Sequence, residues 1–181
     1  MLLIDVKESM AILEIDSRER LRKLLAAEGL SLSKSALSKA FKGRGGVSLD
    51  TLSKMVTILD QACRQRGLKI IQIMNPRIDW AKPDDPIGEV AKLMMQKDYS
   101  QMPVGSPDKC YGVIMGHIAL GLLAKGNNDL SRPAREFCSD VVKVPCDFPI
   151  STARQFVRIH GYVLVEKNQK VVGIVTYGDY V

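Results

Sequence analysis

The sequence predicts a multidomain protein, with an all-α N-terminal domain followed by an α/β domain in which one unit occurs twice. Three observations support this prediction. Apolar residues recur at helical spacing through residues 1–66, in short runs bounded by serines and glycines. Short apolar strands then alternate with amphipathic helical segments. Finally, the run Gly173–Asp179 has a partial copy 61 residues upstream, at Gly112–Ile118.

Four short helices are expected in the N-terminal domain. The first covers residues 5–15, where Val6, Met10 and Leu13 share one face. Serines are expected to cap the other three, because a serine side chain accepts a backbone N–H at the start of a helix. These helices are Arg18 to about Glu28 after Ser17, about Ser33 to Lys42 after a cap at Ser31 or Ser33, and Leu49 to about Cys63 after Ser48.

The third helix presents an outward face without acidic residues. Lysines neutralise phosphates, and serines are short enough to reach base edges or phosphate oxygens. The candidate DNA-binding residues are Lys34, Ser35, Ser38, Lys39, Lys42 and Arg44. The charge distribution agrees, since residues 1–72 hold 13 basic and 8 acidic side chains, whereas residues 73–181 hold 13 and 12. A solvated basic surface is the alternative.

Two consecutive segments carry a resemblance to a known family. They read Ser33-Lys-Ser-Ala-Leu-Ser-Lys-Ala-Phe-Lys-Gly43 and Val47-Ser-Leu-Asp-Thr-Leu-Ser-Lys-Met-Val56. They resemble helix-turn-helix domains of the Cro/repressor type (XRE-like), closest to the branch that includes addiction-module antidotes. The resemblance implies that the second helix positions the domain on DNA and that the third reads the DNA. The alternative is a small helical bundle that dimerises.

The duplicated unit follows residues 67–74, which are expected to form a linker with a short strand at 68–73. It occupies residues 75–126 (repeat 1) and 127–181 (repeat 2). Each repeat is expected to read strand, helix, strand, strand, helix. The expected elements are 77–81, 86–96, 102–104, 111–115 and 118–124 in repeat 1, and 141–144, 150–159, 162–165, 171–176 and a short helix from 179 in repeat 2.

Repeat 2 ends in the pattern Gly-h-h-Thr-x-x-Asp, where h is apolar, formed by Gly173, Thr176 and Asp179. Repeat 1 keeps Gly112 and the strand Met102-Pro-Val104. Together these features resemble the tandem CBS-domain pair, or Bateman module, over roughly residues 70–181. The resemblance implies two related clefts, a homodimer formed through the pair, and a regulatory adenosine-containing ligand such as an adenine nucleotide or S-adenosylmethionine, with no required cofactor.

The resemblance also assigns the ligand site to repeat 2. Thr176 and Asp179 are expected to hold the ribose, because a vicinal diol offers two donors and an ionised aspartate only accepts. At the matching positions of repeat 1 stand Met115 and Ile118, so that cleft is expected to bind no nucleotide or a different ligand. The remaining candidate nucleotide-binding residues are Tyr162, Val163 and Leu164 as an adenine wall, and Val142 as the opposing edge.

The composition excludes several other classes of protein. No apolar stretch approaches the roughly 20 residues that cross a bilayer, and the N-terminus lacks the basic region of a secretion signal. Four scattered cysteines and two histidines offer no metal-site spacing. Known catalytic motifs are missing, so we expect no enzyme. The expected location is the cytoplasm, with reduced thiols.

Two functions remain open at this point. The first is a ligand-responsive, DNA-binding transcriptional regulator, in which the adenosine ligand changes the spacing of two reading helices. The alternative is a protein-interaction regulator, either an antitoxin or an enzyme-regulating adaptor, whose repeats serve mainly for dimerisation.

Overall fold

The computed structural model describes residues 2–125 and 128–180. Its N-terminal part contains four helices: α1 (Leu2–Ile12), α2 (Arg18–Ala27), α3 (Lys34–Phe41) and α4 (Leu49–Gln65). The side chains of Ser17, Ser33 and Ser48 each accept a backbone N–H at the starts of α2, α3 and α4. The predicted serine caps are therefore confirmed, and Ser33 rather than Ser31 caps α3.

The remaining helices and strands follow the order predicted for two repeats. They are α5 (Ile87–Gln96), β1 (Gln101–Gly105), β2 (Cys110–Met115) and α6 (Gly116–Lys125), then β3 (Lys143–Pro145), α7 (Ile150–His160), β4 (Tyr162–Lys167) and β5 (Lys170–Thr176). Strands β1 and β2 are antiparallel. The other three form a second sheet in the order β3-β4-β5, with β3 parallel and β5 antiparallel to β4.

Two predicted elements of the repeats take a different form. The strand expected at 77–81 is reduced to a single bridge between Ala81 and Val104. The last helix is a 3-10 turn, Tyr177–Tyr180. The boundary predicted between residues 126 and 127, and Val181, lie outside the described residues.

Each repeat sends its leading segment across to the other repeat; these segments are residues 74–81 and 138–145. Asn75 and Ile174 exchange two backbone hydrogen bonds, with N···O distances of 2.9 and 3.0 Å. Ser139 and Val113 make the equivalent pair, at 2.9 and 3.2 Å. Each repeat therefore completes the sheet of the other, which explains why the two copies fold as one unit.

The glycines that begin the repeated run lie at these two crossings. A Cβ atom on Gly112 would lie 2.3 Å from Cys138 Cβ, and one on Gly173 would lie 2.4 Å from Met74 Sδ. Both distances are far below a van der Waals contact. Glycine at these positions leaves room for the crossing segment: Gly112 faces Cys138 Cβ and the Ser139 carbonyl oxygen, and Gly173 faces the side chain of Met74.

The segment predicted as a linker, residues 67–74, is packed into repeat 2. Ile70 is fully buried, and its backbone N–H donates to the carbonyl oxygen of Phe148 at 2.8 Å. Residues Ile70–Gln72 form a 3-10 turn rather than the short strand expected there. The prediction of a linker was wrong because Leu68 and Ile70 both pack against the hydrophobic core of repeat 2.

Helix α7 joins repeat 2 to the N-terminal helices through an ionic cluster, in which Asp5, Glu8 and Arg154 are buried and Asp60 and Arg158 are half-buried. Arg154 is only 2% exposed; its Nη1 donates to Asp60 Oδ1 at 3.0 Å, and its Nε lies 3.8 Å from Glu8 Oε2. Arg158 Nη2 lies 2.5 Å from Asp5 Oδ1. Buried charges of this kind persist only where a partner compensates for lost hydration.

Helix α1 differs from its prediction for this reason. It lies about three residues nearer the N-terminus than expected, and it buries Asp5, Glu8 and Ser9 together with Val6. Ser9 Oγ accepts a hydrogen bond from Arg154 at 2.7 Å. The apolar spacing of α1 could not show this, because the partner is 145 residues away in the sequence.

Within residues 2–125 and 128–180, every helix is too short or too polar to span a bilayer. The longest helix described there, α4, has 17 residues and carries both acidic and basic side chains.

Candidate functional site

A cleft of about 280 Å³ opens where β5 ends, between the two repeats. Repeat 2 contributes Gly161 and the residues from Thr176 to Asp179. Repeat 1 contributes its leading segment, from Asn75 to Asp79, and the turn from Asp98 to Gln101. The exchange between Asn75 and Ile174 brings these parts together, so neither repeat forms the cleft alone.

Thr176 and Asp179 form a hydrogen-bonded pair on the cleft wall. Asp179 Oδ2 accepts the backbone N–H of Thr176 at 2.7 Å and the Thr176 hydroxyl at 2.9 Å. These bonds fix the carboxylate against the end of β5. Its second oxygen makes no hydrogen bond within the described part of the chain and can accept from a ligand. The structure thus brings together the two predicted ribose-binding residues, and both line the same cavity.

The part of the cleft that repeat 1 contributes carries a second fixed carboxylate. Asp79 Oδ2 accepts from Lys97 Nζ at 2.5 Å and from the Tyr99 hydroxyl at 2.8 Å. These two hydrogen bonds lower the pKa of Asp79, and the bond to Asp79 raises the pKa of Tyr99. Asp79 therefore stays ionised at neutral pH, and Tyr99 is held in place beside the cleft.

The predicted adenine wall lies elsewhere. Tyr162, Val163 and Leu164 are at most 2% exposed and do not line the cleft. Val142 packs with these strands in the adjoining cores. The reason is the position of β4 at the centre of its sheet, where alternate side chains enter cores on both faces. Tyr162 also uses its hydroxyl internally, donating to the carbonyl oxygen of Asp140 at 2.8 Å.

The apolar and aromatic groups that line the cleft were missed at the sequence level. They are Ile78, Tyr99, Pro103, Ile174 and Tyr177. Three of them, Ile78, Tyr99 and Pro103, belong to repeat 1, although the ribose-type pair belongs to repeat 2. The available signal was the repeat itself: when two copies pair about a pseudo-twofold axis, the second half of each site comes from the other copy.

In repeat 1, the residue at the position that matches Thr176 packs in an apolar core. Met115, which replaces the threonine, packs against the core cluster that contains Tyr162 and Leu164. Its Cε lies 3.6 Å from the point where a Cβ on Gly161 would stand. Neither Met115 nor Ile118 can hold a diol by hydrogen bonding. The positions that match Thr176 and Asp179 in the two repeats therefore differ in chemistry.

The six candidate DNA-binding residues lie on or next to α3. Lys34, Ser35, Lys39, Lys42 and Arg44 are exposed, and Ser38 is half-buried. Lys34 Nζ lies 3.5 Å from Glu19 Oε2 of α2, and Ser38 Oγ accepts from Arg18 at 3.4 Å. Lys39, Lys42 and Arg44 line one shallow surface depression. The predicted outward orientation of α3 is therefore confirmed.

Comparison with known proteins places this geometry in a family. The sequence model of the CBS-domain family matches residues 70–117 and 134–181 of this chain. UPF0053 protein MG146 of Mycoplasma genitalium is 30% identical over 135 residues, which is 72% of this chain and 30% of that protein. The chain therefore spans less than a third of the length of this curated relative.

Two solved structures share the fold of the repeats. One is the CBS domain of a bacterial CNNM/CorC-family Mg²⁺ transporter in complex with ATP, at 19% identity and a TM-score of 0.57, covering 67% of this chain and 91% of that chain. The other is CBSX2 in complex with AMP, at 17% identity and a TM-score of 0.53, covering 62% of this chain and 92% of that chain. At these identities the likeness concerns the fold alone.

Proposed function

Because the chain belongs to the CBS-domain family, we propose that its two repeats bind an adenine nucleotide in the cleft at the end of β5, and that the protein is a regulator responding to this ligand. The observation that carries the proposal is the Thr176–Asp179 pair, which is fixed by two hydrogen bonds and opens into a cavity of about 280 Å³. Two structures that share the fold are described as complexes with ATP and AMP, which supports the choice of ligand.

Each part of the nucleotide has a matching group in the cleft. The free oxygen of Asp179 accepts from the ribose hydroxyls, and the Thr176 oxygen retains an acceptor position after donating to Asp179. Ile78, Tyr99 and Pro103 provide the apolar and aromatic surface that a flat base requires. Arg77 provides a guanidinium for phosphate.

Isothermal titration calorimetry with the full chain tests this proposal. Adenosine, AMP, ADP, ATP and S-adenosylmethionine are titrated in turn into the wild type and into Asp179→Ala. We expect at least one of these compounds to bind, and Asp179→Ala to weaken it by tenfold or more, on the order of the 1.5–3 kcal/mol of a charged hydrogen bond. Asp147→Ala, at an exposed carboxylate outside the cleft, is the matched control. Equal affinity of Asp179→Ala and the wild type would exclude the site.

A second function is favoured by the surface of α3. We infer that this helix binds DNA as the reading helix of a helix-turn-helix domain, which would make the protein a ligand-responsive transcriptional regulator. The supporting observation is the exposed basic surface of Lys39, Lys42 and Arg44, which follows the Ser33 cap and contains no acidic side chain. Helix α2 packs against α3 and would position it on the duplex.

Fluorescence anisotropy with labelled duplex DNA at several salt concentrations tests this function. We expect affinity to fall as salt rises, because neutralising phosphates releases counterions. Lys39→Ala combined with Lys42→Ala should weaken binding by at least about tenfold and flatten the salt dependence. Lys82→Ala with Lys92→Ala removes the same charge from an exposed surface of repeat 1 and serves as the control.

Absence of DNA binding would favour the alternative function, a protein-interaction regulator such as an antitoxin or an enzyme-regulating adaptor. In that case the paired repeats would act mainly in homodimerisation. The exposed apolar side chains of Met95 on α5 and Leu120 on α6 support a contact between subunits on this face. Sedimentation equilibrium of the wild type and of Leu120→Glu distinguishes a dimer formed through this face from a monomer.

A further inference from the structure

We infer that the cleft selects an adenosine ligand with a single phosphate over the corresponding di- and triphosphates. This inference rests on the proposed function, because it concerns the ligand class of the same cleft. It is carried by three observations: the balance of charge around the cleft, the position of one arginine, and the volume of the cavity.

Acidic side chains outnumber basic ones in the cleft lining. Asp79, Asp98 and Asp179 all line it, and Arg77 is the one cation among the described lining residues. Lys97 approaches from outside the lining, but its ammonium group is already paired with Asp79 at 2.5 Å. A second or third phosphate would therefore bring further negative charge towards carboxylates, with no additional cation to receive it.

Arg77 is placed to receive one phosphate. Its backbone N–H donates to Asn75 Oδ1 at 2.9 Å, which fixes the leading segment at this point. The guanidinium is exposed and makes no ion pair within the part of the chain that the structure describes. A free guanidinium can bind two oxygens of one phosphate in a bidentate arrangement. It cannot serve three phosphates in a row.

The volume of the cavity points in the same direction. At about 280 Å³ it lies just below the range of ~300–1,000 Å³ that is common for small-molecule sites. A site of this size suits a mononucleotide. A triphosphate chain would need space beyond this volume, and Asp98, which is exposed in the turn after α5, adds a further negative charge to the lining.

Calorimetry with the full chain, at constant ionic strength and with EDTA present, tests the inference. Adenosine, AMP, ADP and ATP are the probes. We expect AMP to bind tightest and ATP to bind at least about tenfold more weakly than AMP. A difference of this size corresponds to one or two unfavourable contacts between like charges near a protein surface. Arg77→Gln should reduce the affinity for AMP to that for adenosine and leave the affinity for adenosine unchanged.

Asp98→Asn is the variant that isolates the charge effect. Asp98 has φ +55°, a left-handed conformation that asparagine also adopts readily, so this variant keeps the backbone geometry. This variant should reduce the ratio of the affinity for AMP to the affinity for ATP, here called the gap, by about threefold or more. Asp147→Asn makes the same change in net charge outside the cleft and should leave the gap unchanged.

Three outcomes would overturn the inference. One is ATP binding as tightly as AMP, either in EDTA or with Mg²⁺ added. Another is an equal effect of Asp98→Asn and Asp147→Asn on the gap. In both cases nucleotide binding itself, and hence the proposed function, would stand. If no adenosine compound binds at all, the proposed function fails and the inference fails with it.

Discussion

Asn75 and Ile174 exchange two backbone hydrogen bonds although they belong to different repeats, at 2.9 and 3.0 Å. This pairing lays the leading segment of repeat 1 across the end of β5, just before Thr176. It therefore assembles the cleft, because Arg77, Ile78 and Asp79 lie within four residues of Asn75. The binding site is thus a consequence of the exchange between the repeats, and a change that disturbs the crossing should affect folding and ligand binding together.

We expect Gly112→Ala to destabilise the protein by about 1–3 kcal/mol, the range found when a well-packed interior is overfilled. The added Cβ would lie 2.3 Å from Cys138 Cβ and 2.8 Å from the carbonyl oxygen of Ser139, so the crossing strand must shift. Urea unfolding followed by circular dichroism measures the change. Gly121→Ala in α6 is the control, since its Cβ meets nothing within 4 Å. That variant should be neutral or more stable by about 0.5–1 kcal/mol.

Local patterns predicted the local structure well. Ser17, Ser33 and Ser48 were recognisable as caps because a cap depends on a hydrogen bond within three residues of the chain. The 61-residue repeat predicted the order of strands and helices, because both copies of a duplicated unit fold in the same way. Thr176 and Asp179 were found as a pair for the same reason, since they lie three residues apart at the end of β5.

The features that the sequence did not predict depend on distant residues. Residues 67–74 read as a linker, but Ile70 belongs to the core of repeat 2. Tyr162 was expected in the cleft, but the central position of β4 directs its ring into a core. Tyr99 was not assigned to this cleft, although it lines the cleft together with Asp179. Each outcome was decided by which segments pack together, and apolar spacing within one segment does not contain that information.

Arg154→Ala is expected to destabilise the protein by about 3–5 kcal/mol, the usual effect of removing one partner from a buried ion pair. Arg154 is 2% exposed, and its loss leaves Glu8 and Asp60 without their nearest buried cation. Chemical unfolding measures the change. Arg135→Ala, which breaks the exposed pair with Asp84, is the control and should cost less than about 1 kcal/mol. Similar losses in the two variants would contradict the structural role of the cluster.

The stability contributed by Glu8 should fall as pH rises. Burial raises the pKa of Glu8 above its usual value of 4.5, although Arg154 opposes the shift. The folded state therefore binds a proton on the Glu8 carboxylate more tightly than the unfolded state does. The contribution of Glu8 to the stability of the folded state is most favourable at low pH and is lost as pH rises from 4.5 through the raised pKa.

The variant Glu8→Gln tests this pH dependence. We expect the free energy of unfolding of the variant, minus that of the wild type, to become more positive between pH 4 and pH 7. Urea unfolding at several pH values measures this difference. Glu89→Gln, on the exposed side of α5, is the matched surface control. A difference for Glu8→Gln that decreases over the same range would show that the attraction of Arg154, rather than burial, dominates at this site.

The absence of matching Thr and Asp residues in repeat 1 predicts one bound nucleotide per chain. Repeat 2 offers the acceptor oxygens of Thr176 and Asp179, whereas repeat 1 has Met115 packed in a core and Ile118 at the matching positions. A titration with AMP should therefore fit a single site per chain, and native mass spectrometry should show the mass of one added ligand. Asp179→Ala should abolish that event, and His117→Ala, beside Ile118 in repeat 1, should leave it intact. Two bound molecules, or one that survives Asp179→Ala, would place the ligand in repeat 1. In that case the leading segment of repeat 2, which Val113 holds through Ser139, would be the wall of the occupied cleft.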